Sequence, residues 1–228
     1  MKLKKLMALA LSGVLAVSMF AGCAKADVKP EPTPNPDPTP STSSYAEMLV
    51  DGMTKQSQNL VTPVADADLD AALADAVDVY FNDLQAAISG SNFWVDMNSN
   101  GNRGFDVRYT DLGRAVARAM GHANDEIGDL DDTLTGEGKT NIAVETYAFN
   151  GSMSDEVILE KLGMKVDQSI RNLPTSSELS FDDLYTEFVY DYDYEVSASI
   201  ETVTGKYMGV DVSVKYVSIA VVQTATEA

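Results

Sequence analysis

The chain has 228 residues, with 35 Asp and Glu against 16 Lys and Arg, a formal charge of −19, one cysteine and one histidine. So acidic a chain repels nucleic acid and anionic lipid, and favours cations or basic partners. A single cysteine leaves no disulfide to staple a fold, and one cysteine with one histidine supplies no zinc cluster.

The first 22 residues read as a removable export signal. Lys2, Lys4 and Lys5 form a basic start, Leu6 to Phe20 an apolar run, and Ala21-Gly22-Cys23 follows. The run is shorter than the roughly 20 residues that a membrane span needs. This segment resembles the signal peptide and lipobox of bacterial lipoproteins, with Phe20 in place of the usual aliphatic residue three before the cysteine. The resemblance implies that Cys23 is the lipidation site, that cleavage precedes it, and that acyl chains hold the protein to a membrane. Ordinary secretion with a chance cysteine is the alternative. Cleavage would remove three lysines and no acid, leaving 13 basic and 35 acidic side chains and a balance of −22.

Residues 23–43 read as the lipidated cysteine and a spacer. Pro30, Pro32, Pro34, Pro36, Pro38 and Pro40 fall at every second position, and proline biases itself and its predecessor to extended geometry. At about 3.1 Å per residue this stretch can hold a domain roughly 50 Å from a bilayer. Residues 44–228 then make one extracytoplasmic domain, without a second linker or an internal repeat. Ala24, and not an aspartate, after the cysteine argues against inner-membrane retention by a Gram-negative sorting rule, and the long spacer suits a Gram-positive surface.

The first part of the domain reads as helical. Residues 45–61 carry Tyr45, Met48, Leu49, Gly52 and Met53 roughly on one side. Asp66 or Asp68 caps a helix marked by Leu69, Leu73, Val77, Leu84 and Ile88, which ends at Ser89-Gly90-Ser91. A third helix, 110–124, opens with Thr110 or Asp111 and is rich in alanine. A fourth, 154–170, has Val157, Ile158, Leu162 and Val166 on its apolar side, with Gly163 at its centre.

The period then changes. Ile142 to Phe149 forms a strand, and Tyr194, Val196, Ala198 and Ile200 alternate with polar residues as in a half-buried strand. Thr204-Gly205-Lys206 suits a turn. Val210, Val212 and Val214 are followed by Val217, Ile219 and Val221 on the opposite parity, which predicts a bulge or break near Tyr216. The fold class is therefore α+β, a single domain with helices packed on a C-terminal antiparallel sheet.

Four short pieces resemble the CAP superfamily, the secreted α-β-α sandwich also called the SCP or cysteine-rich secretory domain. They are Val107-Arg108-Tyr109-Thr110-Asp111-Leu112, Asn141-Ile142-Ala143, Ser154-Asp155-Glu156-Val157-Ile158, and Met208-Gly209-Val210-Asp211-Val212 with Tyr216 to Val222. The resemblance implies a CAP-like sandwich with a cleft acting on peptide or glycan, where histidines face acids and hold a divalent metal in some members. This chain departs from that site. Thr140 replaces the glutamate of the central motif, and 163–170 has no histidine. His122 is the sole catalytic candidate, with Glu126, Glu137 and Glu145 as acids that no motif places. A lone histidine at a helix end ordinarily serves the helix dipole.

Two further patterns carry chemistry. Asp96, Asn98 and Asn100 alternate ahead of Gly101, with Asp106 beyond, like the opening of an EF-hand calcium loop, although Arg103 and Val107 break the pattern and a plain polar turn accounts for it as well. Tyr185 and Tyr192 lie among acids and other aromatics, as in a surface that binds carbohydrate or a basic peptide, while tyrosines of one strand parity also suit simple packing. The sequence thus describes a lipid-anchored protein on the outer face of a bacterial cell membrane, a binding or structural module and not an enzyme. Its partner is an envelope protein, peptide or carbohydrate, and not nucleic acid. It needs no cofactor, with calcium the one candidate. The alternatives are a degenerate CAP-type cleft and a calcium-dependent adhesion module.

Overall fold

The central strand of this domain is apolar on both parities, and this dictates a layer of helices on each face of the sheet. The computed structural model describes residues 42–88, 103–121, 123–177, 190–207 and 210–227, within a unit spanning Thr39–Ala228. The elements in chain order are α1 (Thr42–Asp51), α2 (Lys55–Gln58), β1 (Val61–Pro63), α3 (Ala67–Ile88), β2 (Phe105–Asp106), α4 (Asp111–Ala119), a 3-10 turn (Ile127–Asp129), β3 (Thr140–Asn150), α5 (Asp155–Arg171), β4 (Tyr190–Tyr207) and β5 (Val210–Glu227). The sheet order is β1-β4-β5-β3-β2. Among the strand pairings of the described residues, β1 with β4 is parallel, with Val61 opposite Tyr194, and the others are antiparallel.

β5 pairs with β4 without interruption from Val210 opposite Tyr207 to Glu227 opposite Tyr190, and with β3 from Val214 opposite Asn150 to Thr224 opposite Thr140. The parity change therefore marks no bulge near Tyr216, contrary to the sequence expectation. Val214, Tyr216 and Ala220 enter one core with Leu69, Leu73, Leu112 and Val116. Val217, Ile219 and Val221 enter the other with Leu49, Ile158, Leu162 and Val166. Each face is thus apolar along a different stretch of the strand, because its helices cover a different stretch. Thr204, Gly205 and Lys206 likewise form no turn: they pair with Ser213, Val212 and Asp211 inside the ladder. The strand expected to be half-buried has Ser197 and Ser199 buried opposite Val196 and Ala198.

The helices follow their caps. Asp66 Oδ1 accepts from the Asp68 and Leu69 amides (3.0 and 3.1 Å), which starts α3. Thr110 Oγ1 accepts from the Gly113 amide (3.3 Å), and Ser154 Oγ from the Val157 amide (3.4 Å). α4 stops at Ala119, short of the expected 124. Gly121 turns the chain with φ of 86°, and Asn124 returns to bridge Ala143. In α5 the apolar face is rotated from that expected: Leu159 is buried and Val157 is 40% exposed. The expected 45–61 helix is two helices and a strand, divided at Gly52.

That division has a steric cause. α1 and α5 cross backbone to backbone: a Cβ on Gly163 would lie 2.2 Å from the Leu49 carbonyl oxygen, and one on Gly52 2.4 Å from that of Glu160. Glycine at the centre of α5, unfavourable for an isolated helix, is what lets the two helices touch. Beyond the crossing, Asp167 of α5 docks α2. Its Oδ1 accepts from the Thr54 amide and hydroxyl (both 2.8 Å) and the Ser57 hydroxyl (2.6 Å). Chiefly the Ser57 hydroxyl, against the effect of burial and with help from the Thr54 amide, holds this carboxyl below its ordinary value.

Two outcomes follow from these contacts. Gly163→Ala should cost about 2 kcal/mol through overpacking, read as a shift of the urea midpoint at constant slope. Asp167→Asn should separate from the parent in the same assay at pH 7. Because the folded carboxyl is depressed, its stabilisation is complete above the unfolded value of about 4 and is lost as pH falls through the folded value. The gap between the two proteins should therefore shrink below about pH 4.

Candidate functional site

The densest ionic cluster forms where β2, β3, the 3-10 turn and α5 meet. Glu145 lies on the inward parity of β3, between Ala143 and Tyr147, and is 5% exposed. Its Oε1 accepts from the Ile127 amide (3.0 Å) and from Arg108 Nη1 (3.4 Å), and its Oε2 accepts from the Tyr147 hydroxyl. Arg108 follows β2 and also binds Asp106, with Nε and Nη2 at 2.8 and 2.7 Å from Oδ2. Its Nη1 lies 3.4 Å from Glu126 Oε1 and donates to the Asp125 carbonyl (3.3 Å). Tyr109 donates to Glu126 (2.7 Å), and the Arg108 guanidinium sits 5.3 Å from the Tyr109 ring centroid. From α5, the Lys165 ammonium lies 4.1 Å from the centroid of the Tyr147 ring.

The electrostatics follow from this packing. Burial disfavours the charge on Arg108, but Glu145 and Asp106 more than offset it and hold the guanidinium above its ordinary value. Burial pushes the Tyr147 hydroxyl up, and the Glu145 charge adds to it, so Tyr147 stays a neutral donor. Burial lowers Lys165, with Asp106 and Glu145 opposing the change. Both Glu145 oxygens are engaged within the protein, which makes it a fixed anchor for the arginine and not a base open to a ligand. What reaches solvent is the rim of Asp106, Tyr109, Glu126 and Lys165.

A second feature lies across the sheet. α3 and β4 enclose a groove of about 490 Å³, lined by Ala74, Asp75, Val77 and Asp78 of α3 and by Glu201, Thr202, Val203 and Thr204 of β4. Burial raises the Glu201 carboxyl, and the charges of Asp70 and Asp78 raise it further. Opposite Glu201 in the ladder is Tyr216, 1% exposed, whose hydroxyl has no hydrogen-bond partner among the described residues. Two other depressions occur, one of about 570 Å³ at the β4–β5 hairpin end and one of about 360 Å³ beside Arg114, Arg118 and Asp125.

Of the residues singled out in the sequence, Cys23, Asp96, Asn98, Asn100, His122 and Tyr185 lie outside the described residues. Asp106 is on β2, paired to Arg108. Tyr192 is packed in the core, 7% exposed, with its hydroxyl donating to the Leu134 carbonyl (2.8 Å). Its neighbour in parity, Tyr194, donates to the Pro174 carbonyl (2.7 Å). Glu126 and Glu145 converge on Arg108, whereas Glu137 accepts from the Glu227 amide. The signal for the ionic cluster was a glutamate at an inward strand position. No group of three or more His, Cys, Asp or Glu able to hold a metal occurs among the described residues. Comparison with protein-family models, curated proteins and solved structures gave no match.

Removing the Glu145 carboxylate leaves the Ile127 amide, the Tyr147 hydroxyl and a largely buried guanidinium short of a partner. Glu145→Ala should therefore cost about 3 kcal/mol in chemical denaturation.

Proposed function

We propose that this chain is a lipid-anchored binding module on the outer face of a bacterial membrane, tethered through Cys23 and held off the surface by the proline-rich spacer. The observation that carries this reading is the order of the N-terminal sequence: a basic start, an apolar run, Ala21-Gly22-Cys23, and then proline at every second position. Among the described residues no helix is long and apolar enough to cross a membrane. In the ionic cluster Glu145 and Arg108 satisfy one another, and Tyr109, Glu126 and Lys165 face solvent, where a partner can reach them.

A divergent CAP-type domain is the second reading. It is supported by helices on both faces of the sheet and by the four sequence pieces.

The anchor is tested by expressing the full chain in a bacterial host fed an alkyne-tagged fatty acid. The parent chain should carry the tag and partition into the detergent phase, and Cys23→Ala should be untagged and partition with water. An untagged parent chain, or equal partitioning of the two, would overturn the anchor.

A further inference from the structure

Among the described residues, the outer edge of β4 is paired over less than half its length. The Ser177 amide donates to the Tyr190 carbonyl (2.8 Å), the Tyr192 amide to the Thr175 carbonyl (3.0 Å), and the Val64 amide to the Val196 carbonyl (2.9 Å). Even-numbered residues of β4 thus point their backbone groups away from β5. β1 reaches only as far as Val196, yet the β4–β5 ladder runs unbroken to Tyr207. The outward N–H and C=O groups of Ile200, Thr202 and Thr204 therefore follow in the same direction, beyond the buried Ala198, and among the described residues none of them has a partner there. Thr202 and Thr204 are exposed. A row of unpaired groups at a regular strand edge is a template for another strand, and proteins ordinarily blunt such an edge with proline, lysine or a bulge. Between Ile200 and Gly205 this edge has none of these.

The neighbouring chemistry selects the occupant. The groove that flanks this edge carries Asp75, Asp78 and Glu201, and among the described residues none of the three has a cationic partner. A second copy of the chain would bring the same carboxylates against their own kind, on molecules that already carry −19 each. An extended segment with lysine or arginine at alternate positions pairs its backbone with β4 and lays its cations along Glu201 and α3. We infer that the Ile200–Thr204 edge of β4 is a strand-addition site for a basic extended peptide of a partner protein. This deepens the binding-module reading and rests on it.

The probe is a fluorescein-labelled octapeptide of alternating lysine and valine, titrated by anisotropy against the full-length chain in detergent micelles. Saturable binding is expected, at least tenfold weaker for a peptide N-methylated at every second residue, which keeps its charge but loses one edge of donors. Asp78→Asn with Glu201→Gln should weaken binding by a similar factor, as should Thr202→Pro, which removes an outward amide only. The N-methylated peptide is tested on the unaltered protein, so the result does not depend on a variant folding. Absence of saturable binding overturns the site, and so does equal binding of the methylated peptide, which reduces it to charge attraction. Light scattering that shows a dimer of the parent chain, lost in Thr202→Pro, also overturns it, since the edge then belongs to a second copy. Fatty-acid tagging is read separately, so failure of the anchor and failure of the peptide site are distinguishable.

Discussion

Everything in this domain is arranged around β5, a strand that must be buried on both sides. It sits between the two other long strands, and each of its parities supplies the floor of a separate core. Burying a side chain such as Val, Ile or Phe is worth about 1.5–3 kcal/mol, so neither face can be left to water. One set of helices, α1 and α5, closes one side, and α3 and α4 close the other. The short strands β1 and β2 then cap the margins, and the ionic cluster occupies the junction where β2, the 3-10 turn and α5 come together.

The sequence was most legible where one physical rule acted alone. Capping residues announced helix starts to within a residue or two, as Asp66 or Asp68 and Thr110 or Asp111, because a side-chain oxygen beside free amides has few other uses. Asp66 and Thr110 are the caps. Alternation announced the long strands, and with them the α+β class. The same rule misled at Tyr216, because a parity change can signal either a bulge or a second covered face, and a linear pattern does not distinguish them. Gly163 is unfavourable by helix propensity, which is local, whereas its reason is Leu49, more than a hundred residues away. β1 and β2 are too short to show any period. The ionic cluster draws Arg108, Glu126, Glu145 and Lys165 from four separate segments, so no spacing encodes it. Only the misplaced charge of Glu145 within an apolar parity gave a hint.

The charges divide into two kinds. Where Asp and Glu face inward they are held by donors from elsewhere in the chain: Asp167 by Thr54 and Ser57, Asp155 by Lys215 at 2.6 Å, and Glu145 by Arg108. These pairs join α2 to α5, α5 to β5, and β2 to β3. Along α3 the carboxylates of Asp75 and Asp78 stand toward solvent, and Glu201 faces them from β4. The first kind sets the order of the elements, and the second gives one side of the sheet its electrostatic character.

The parallel pairing of β1 with β4 has a kinetic side. Val61 meets Tyr194, so the two partners are separated by roughly 130 residues, and closing so long a loop must precede any gain from the contact. α1 shares this delay, since its glycine crossing requires α5. The β4–β5 hairpin, with only two residues between Tyr207 and Val210, needs no such search. The domain is therefore built from its C-terminal end backwards. During synthesis α1 and β1 are made first, and they complete their contacts only when α5 and then β4 have followed.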